Sequence, residues 1–334
     1  MNKFILVLIL TLVACEYDLD ALIFQQFQKF IKKFNKKYDS INEFLARYEV
    51  FRQNVMSTFK DEKASYRTGI TKFSDLTKQE FTKTYLNLNY DAMAIANFEP
   101  TIVKESNASP DSFDWRSQGR VSPVKDQGSC GSCWAFSTVA NLEGLYFAKK
   151  LVMKTFSEQM LVDCDTSDSG CNGGLMQYAF NWLKSNGGIM TDTDYPHKGV
   201  KQSCQKDSSK YADFKVTGYK KLGSSWQTWS PVDEGQVKDF LYETGPLAVA
   251  LNANPLQTYV SGILDLTSSQ CPTSSINHAV TMVGYGYDSA TGLDYWIVKN
   301  SWGKSWGEEG YFRIRRGNGT CGINCYITTA TVSF

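Results

Sequence analysis

Apolar residues return at helical spacing twice in the first part of the chain. Phe27, Phe30, Ile31 and Phe34 share one face, and Phe44, Tyr48, Phe51, Val55 and Phe59 form a longer stripe. Lys, Arg and Glu fill the other faces, so residues 20 to 63 read as helical. Gly69 to Phe81 follows as a turn with a short helical start at Asp75 or Thr77. Asn87 to Pro110 is polar and weakly patterned, a linker of the kind that processing proteases cut. From Ser132 to about Asn186 the helical period returns. Ala135, Val139, Leu142 and Tyr146 make one stripe, Ser157 is placed to cap a short helix, and Met176, Ala179, Phe180 and Leu183 make another, ending at Asn186-Gly-Gly. Beyond about residue 210 strand signals take over, in Ala279 to Val283, Tyr295 to Lys299 and Tyr311 to Arg315, where Phe312 and Ile314 alternate with Arg313 and Arg315. A helical half followed by a β half predicts an α+β fold of two lobes. An active site is expected where the lobes meet.

The ends and the totals refine this picture. Met1 to Ala14 reads as a signal peptide: Lys3 gives a positive start, and the apolar run Phe4 to Val13 is followed by small residues. That run is about half the roughly twenty residues needed to span a bilayer. Leu12-Val13-Ala14-Cys15 also resembles a lipoprotein cleavage site. No later run predicts a membrane span. Of the 334 residues, 35 are Lys or Arg and 34 Asp or Glu, a net charge of +1 that argues against a nucleic-acid or anionic-membrane partner. Nine cysteines are present, and all but Cys15 fall after residue 129. In an oxidising compartment this predicts one disulfide-bonded domain behind a segment without crosslinks.

The chemistry concentrates in Gln127-Gly-Ser-Cys130-Gly-Ser-Cys133-Trp134. Cys133 opens a helical stripe, where free N–H groups and the helix dipole favour a thiolate, the nucleophilic form. A Cys-x-x-Cys pair also suits a metal half-site or a redox dithiol, but no second pair or paired His follows at zinc spacing and no βαβ pattern adjoins it, so no metal is expected, and thiol acyl transfer requires no organic cofactor. Of two histidines, His197 lies in a turn-like surface segment, whereas His278 opens a strand 145 residues after Cys133. Asn300, in Asn300-Ser-Trp302-Gly303, suits the amide that would fix the imidazole tautomer, with Trp302 covering that hydrogen bond.

Four motifs now stand in order: Gln127 to Trp134, Cys171-Asn-Gly173-Gly174-Leu175-Met176, Asn277-His278-Ala279 and Asn300 to Gly303. In them the chain resembles the papain family of cysteine proteases, most closely its cathepsin L-like branch, from residue 20 to the end. The resemblance implies residues 1–15 as signal peptide, 16–108 as inhibitory propeptide and 109–334 as a papain-like two-lobed protease domain. It assigns Cys133, His278 and Asn300 to a catalytic triad and the Gln127 amide to the oxyanion hole. Glu43, Arg47, Phe51 and Asn54 match the propeptide's helical motif, while Thr58 and Glu62 depart from it. Gly69-x-Thr71-x-Phe73-x-Asp75 matches its second motif except at Thr71. Disulfides implied by the resemblance are Cys130–Cys171, Cys164–Cys204 and Cys271–Cys321, leaving Cys325 as a free thiol.

On the same basis Gly173 and Gly174 let a substrate backbone approach. Leu175, Met176, Ala250, Ile276 and Ala279 wall the pocket for the second residue before the cut (P2), with Tyr326 at its floor and Trp302 nearby. A hydrophobic P2 residue is expected, and an endopeptidase, since no inserted loop with paired His is found. The expected partners are protein and peptide substrates, the chain's own propeptide and cystatin-like inhibitors, around a monomer in the secretory pathway, bound for a lysosome or acidic vesicle or for the outside of the cell. Asn107 and Asn318 stand in glycosylation sequons. Two rival readings are a catalytically silent protease-like binding protein and a Cys-His acyltransferase. The four matched catalytic positions oppose the first, and product analysis separates the second.

Overall fold

The computed structural model describes residues 19–58, 65–88, 100–101, 109–222 and 231–334. The proposed signal peptide, Phe59, Glu62, Asn107 and most of the linker lie outside them. The front segment is two helices, α1 over 19–33 and α2 over Ile41–Thr58, instead of the continuous run its stripes predicted. The chain reverses between them at Asn35, which takes φ +50°. Ser40 Oγ accepts the Glu43 N–H, and the Glu43 carboxylate accepts the Asp39 N–H, so a reciprocal cap fixes the start of α2. The two stripes then face each other. Phe51 is fully buried, with ring centroids 5.1 Å from Phe27 and 5.0 Å from Phe30. A stripe records which face is apolar but not where the axis turns back.

The polar side of α2 holds the next segment. Asn54 Nδ2 donates to the carbonyls of Ser74 and Leu76, and Arg47 donates to Glu80 and to the Asp75 carbonyl. Asp75 also accepts from Lys36 and Tyr38. Strand β1 (Tyr66–Thr68) precedes this knot, and α3 (Lys78–Tyr85) follows it from a reciprocal cap between Thr77 and Glu80. After the short strands β2 (Pro100–Thr101) and β3 (Phe113–Asp114) come helices α4 (Cys133–Lys150), α5 (Glu158–Cys164) and α6 (Met176–Asn186). Ser157 caps α5 through the Met160 N–H. Strand β4 (Lys215–Leu222) leads to α7 (Glu234–Thr244), β5 (Leu247–Leu251), β6 (Tyr259–Leu264), β7 (His278–Asp288), β8 (Leu293–Lys299), β9 (Tyr311–Arg315) and β10 (Ile327–Ser333). Helix α7 interrupts the stretch that read as strands. Asp233 caps it, and Gly245, at φ +115°, ends it.

Among the described residues the strands join in the order β1-β6-β9-β8-β7-β5-β10-β4-β2, with β3 paired to β7. The front segment thus adds an antiparallel strand at one edge and a parallel strand at the other. One apolar core gathers α4, α5 and α6; a second fills the β half around Trp296, Trp306 and Phe312. Helix α4 lies between them, packed on β5 and β7, which is why its faces are apolar almost all round. No helix of the described residues is long and apolar enough to cross a membrane. Phe51→Ala is expected to destabilise the front segment by about 3–5 kcal/mol, the usual cost of emptying a buried Phe site. Hydrogen exchange should speed up in α1 and α2 while the β7–β8 amides stay protected.

Candidate active site

Local folding brings Cys133 to the first turn of α4, just after the N-cap Ser132. The Cys130–Cys171 disulfide and the Gly131 N–H to Cys171 carbonyl bond (2.9 Å) tie this turn to the Gly173-Gly174 segment. The other two bridges are Cys164–Cys204 and Cys271–Cys321; Cys325 is a buried free thiol. On the opposite side, His278 opens β7, and the Ala279 N–H is directed at the Cys133 sulfur. His278 Nε2 lies 2.8 Å from Asn300 Oδ1. That oxygen also accepts the Ser301 N–H at 2.8 Å, which orients the amide, so the imidazole must donate from Nε2. Its Nδ1 then carries the lone pair, and it is buried without a hydrogen-bond partner. Trp302, fully buried, stacks on the imidazole at 4.7 Å and 27°.

Gln127 is brought close by a second backbone pairing. Segments around Asp126 and Trp302 run antiparallel, and the Gln127 N–H donates to the Ser301 carbonyl at 2.9 Å. Ser301 Oγ donates to Gln127 Oε1, leaving Nε2 to donate to the Cys130 carbonyl at 3.0 Å and the Tyr85 carbonyl at 3.4 Å. His197, read from sequence as a surface turn, is half-buried: its Nε2 sits 3.1 Å from the Gln127 carbonyl and its ring meets Phe136 edge-on.

The front segment fills the groove. Phe73 and Phe81 pack edge-on against Trp302 at 5.0 and 5.4 Å. Lys72 donates to the Trp302 carbonyl and pairs with Asp126, and Thr71 Oγ1 donates to the Gln257 carbonyl. Further on, the Asn87 N–H reaches the Cys133 sulfur. A Cβ placed on Gly131 or on Gly173 would come within 2.3 Å of Asn87 atoms, and Gly173 stands at φ +115°, so both positions require glycine for this approach. Leu88 pairs in parallel with Gly174 and donates its N–H to the Asn277 carbonyl at 3.1 Å. Its side chain belongs to the same buried cluster as Leu175, Met176, Ala250, Ile276, Ala279 and Tyr326. The Tyr326 hydroxyl donates to Gln177 Oε1 at 3.0 Å.

Covering the site changes its protonation. The sequence favours a thiolate at this helix start, but in the covered state burial pushes the Cys133 thiol up to about 11, against the pull of the surrounding N–H groups. Burial likewise lowers His278 to about 4, despite its bond to Asn300. The pair is therefore neutral near neutral pH. Behind it, a cavity of about 20 Å³, room for about one water, is lined in part by Lys125, Glu143, Glu158 and Lys299. Lys125 pairs with Glu143 at 3.0 Å and Glu158 at 2.7 Å, while Lys299 donates to Ser122 at 2.8 Å. Sequence reasoning missed these four charges, because no spacing rule joins residues so far apart. It also missed Asn87 and Leu88, although Tyr85, Leu86 and Leu88 are apolar residues crowded at the head of a polar linker.

The papain family cysteine protease profile matches residues 109–331, and the cathepsin propeptide inhibitor domain (I29) matches residues 27–81. Cysteine proteinase 15A of Pisum sativum is 39% identical over 325 residues, covering 92% of this chain and 86% of that protein. Cathepsin F of Drosophila melanogaster is 38% identical, covering 92% of this chain and 50% of that protein. The solved digestive procathepsin L2 of Tenebrio molitor larval midgut superposes with a TM-score of 0.83 at 34% identity, over 92% of this chain and 99% of that one. With a protease domain built around a thiol and an imidazole, and an inhibitor domain folded over them, the chain belongs to the papain family of cysteine proteases.

Proposed function

We propose that the chain is the zymogen of a cysteine endopeptidase in which Cys133, His278 and Asn300 form the catalytic triad and Gln127 completes the oxyanion hole. The observation that carries the proposal is the arrangement around His278: Nε2–H held by Asn300, Nδ1 buried and unpaired, and the neighbouring Ala279 N–H on the Cys133 sulfur. Once the propeptide leaves, water and substrate reach the pair, and the thiol transfers its proton to Nδ1 at the start of α4. The thiolate attacks the scissile carbonyl, and the Cys133 N–H with Gln127 Nε2 takes the charge that develops on its oxygen. Imidazolium then protonates the leaving amine. Water, activated by the neutral imidazole, hydrolyses the thioester. Asn300 keeps the tautomer fixed throughout, with Trp302 shielding its bond from solvent.

A hydrophobic P2 preference is supported by Leu88, which pairs with Gly174 and belongs to the same buried apolar cluster as the six pocket residues. The Lys221 ammonium lies 5.3 Å from the Tyr326 ring, so a cation at P2 would meet a cation beyond the floor. The mature enzyme begins near Ser109 and works as a monomer. It travels the secretory pathway to an acidic vesicle or is exported, and cystatin-like proteins compete for its cleft. Asn318, exposed, remains a candidate glycan site.

Three outcomes test this reading. Acid incubation should shorten the wild-type precursor to a fragment starting near Ser109 that cleaves P2-Leu peptides, while Cys133→Ala stays intact; an unprocessed, inert wild type would sink the proposal. P2-Leu peptides should outpace P2-Arg peptides, and Tyr326→Glu should narrow that gap by about tenfold or more, the scale of one new charge pair; equal turnover in the wild type contradicts the pocket. The third concerns pH. His278 is held neutral in the covered state, with its affinity for protons lowered from 6.5 to about 4. The uncovered state therefore binds the proton more readily, so the covered state is fully favoured above about 6.5 and loses ground as pH falls toward about 4. Propeptide opening of the uncleavable Cys133→Ala precursor, followed by hydrogen exchange at residues 66–68, should rise across that window, and Cys133→Ala/His278→Gln should show a smaller rise.

A further inference from the structure

Beneath the Gly174-Leu175 edge lies a carboxyl pair that the mechanism above leaves unused. Asp168 is buried, and its Oδ1 accepts the Leu175 N–H at 2.8 Å. It sits so close below the edge that a Cβ on Gly174 would lie 2.6 Å from the same oxygen. Asp165 is also buried, and its Oδ1 accepts the Ser167 N–H at 2.7 Å. The two side chains meet each other. Yet the Oδ2 atoms of both are buried and take no hydrogen bond from any donor group. Two facing acceptors in a site away from water satisfy one another only with a proton between them. Each carboxyl accepts one backbone N–H, Asp165 from Ser167 and Asp168 from Leu175, so the pair as a whole holds one charge and one proton. Asp168 keeps the proton, and burial together with the Asp165 charge pushes its carboxyl well above the ordinary range. The other titratable groups facing it are phenols, Tyr178 on α6 and Tyr326 just before β10; both are themselves raised, and neither supplies a positive charge.

We propose that protonated Asp168, bridged to Asp165, is a positioning residue that fixes the Gly174-Leu175 edge on which substrate pairs. Leu88 occupies that edge in the zymogen, through its pairing with Gly174. When alkali removes the shared proton, two carboxylates face each other in one buried site, and the loop must open to hydrate them. The edge then shifts, and substrate binding weakens while the thiol chemistry one step away is untouched. This inference rests on the peptidase reading and deepens it on the P2 side.

The test compares mature wild type, Asp168→Asn and Asp168→Ala on a P2-Leu peptide, resolving KM and kcat from neutral to alkaline pH. Asn is the uncharged isostere of protonated Asp: its oxygen accepts from Leu175 and its amide donates to Asp165. Asp168→Ala should raise KM about tenfold at neutral pH with little change in kcat, the scale of one lost buried hydrogen bond. Asp168→Asn should restore the neutral KM. Wild-type KM should climb in alkali, and the Asn variant's should stay flat. Parallel alkaline rises in wild type and Asp168→Asn would overturn the proposal, as would a kcat loss in Asp168→Ala with KM unmoved. If Asp168→Ala does not fold, the wild type against Asp168→Asn decides alone. An inert wild type overturns the peptidase reading, and this inference with it.

Discussion

Keeping water away from Cys133 and His278 is the constraint that organises the precursor. A thiolate–imidazolium pair is worth having only where something solvates it, whether water, a helix start or a substrate dipole. With Asn87 over the sulfur and Leu88 bridging the two sides of the groove, water is gone, the N–H groups that remain do not offset its loss, and both groups fall back to their neutral forms. Inhibition is thus steric and electrostatic at once. The same cover that blocks the groove also keeps the Cys133 thiol, the proposed nucleophile, uncharged.

The cover needs a rigid frame on both sides. Helix α4 and strand β7 pack against each other and carry Cys133 and His278 at their starts, so each side chain is fixed by an element whose body is buried. The ions behind the pair are costly to bury: Lys125 pairs with Glu143 of α4 and Glu158 of α5, and Lys299 of β8 reaches over to Ser122. Such groups add little net stability, but a misfit of the two halves would take the buried Lys299 ammonium from its acceptor. That penalty favours a single relative placement.

Much of this was legible in the residues. The Cys-Gly-Ser-Cys-Trp run and Asn300-Ser-Trp-Gly each hold local information, because neighbours in sequence form one turn, and the structure brings both to one groove. The α+β order was legible because the hydrophobic period changes. The reversal at Asn35 was not, since an antiparallel helix pair and one long helix share the same stripe. Helix α7 is not legible, because Val237, Phe240 and Leu241 are too few to outweigh the strand signals around them. Asp168 carried no signal at all: an isolated acidic residue in a loop reads as solvated, and only the fold buries it.

The direction of the covering chain explains how it occupies the groove without being a good substrate. Tyr85 lies by Gln127 and the Trp302 cluster, Asn87 over Cys133, and Leu88 at Gly174 and the apolar pocket. A substrate with P2 in that pocket would have to run from the pocket past Cys133 toward Gln127, the opposite sense. Leu88, apolar as the proposed pocket would favour, is therefore delivered by a backbone whose carbonyls and N–H groups are interchanged at the sulfur. Asn87 presents an N–H where attack requires a carbonyl carbon. On the proposed reading, the reversed chain offers no carbonyl to attack, which adds to the steric cover and the lost charge, so the propeptide needs no strained bond or altered residue to resist its own enzyme while it stays in place.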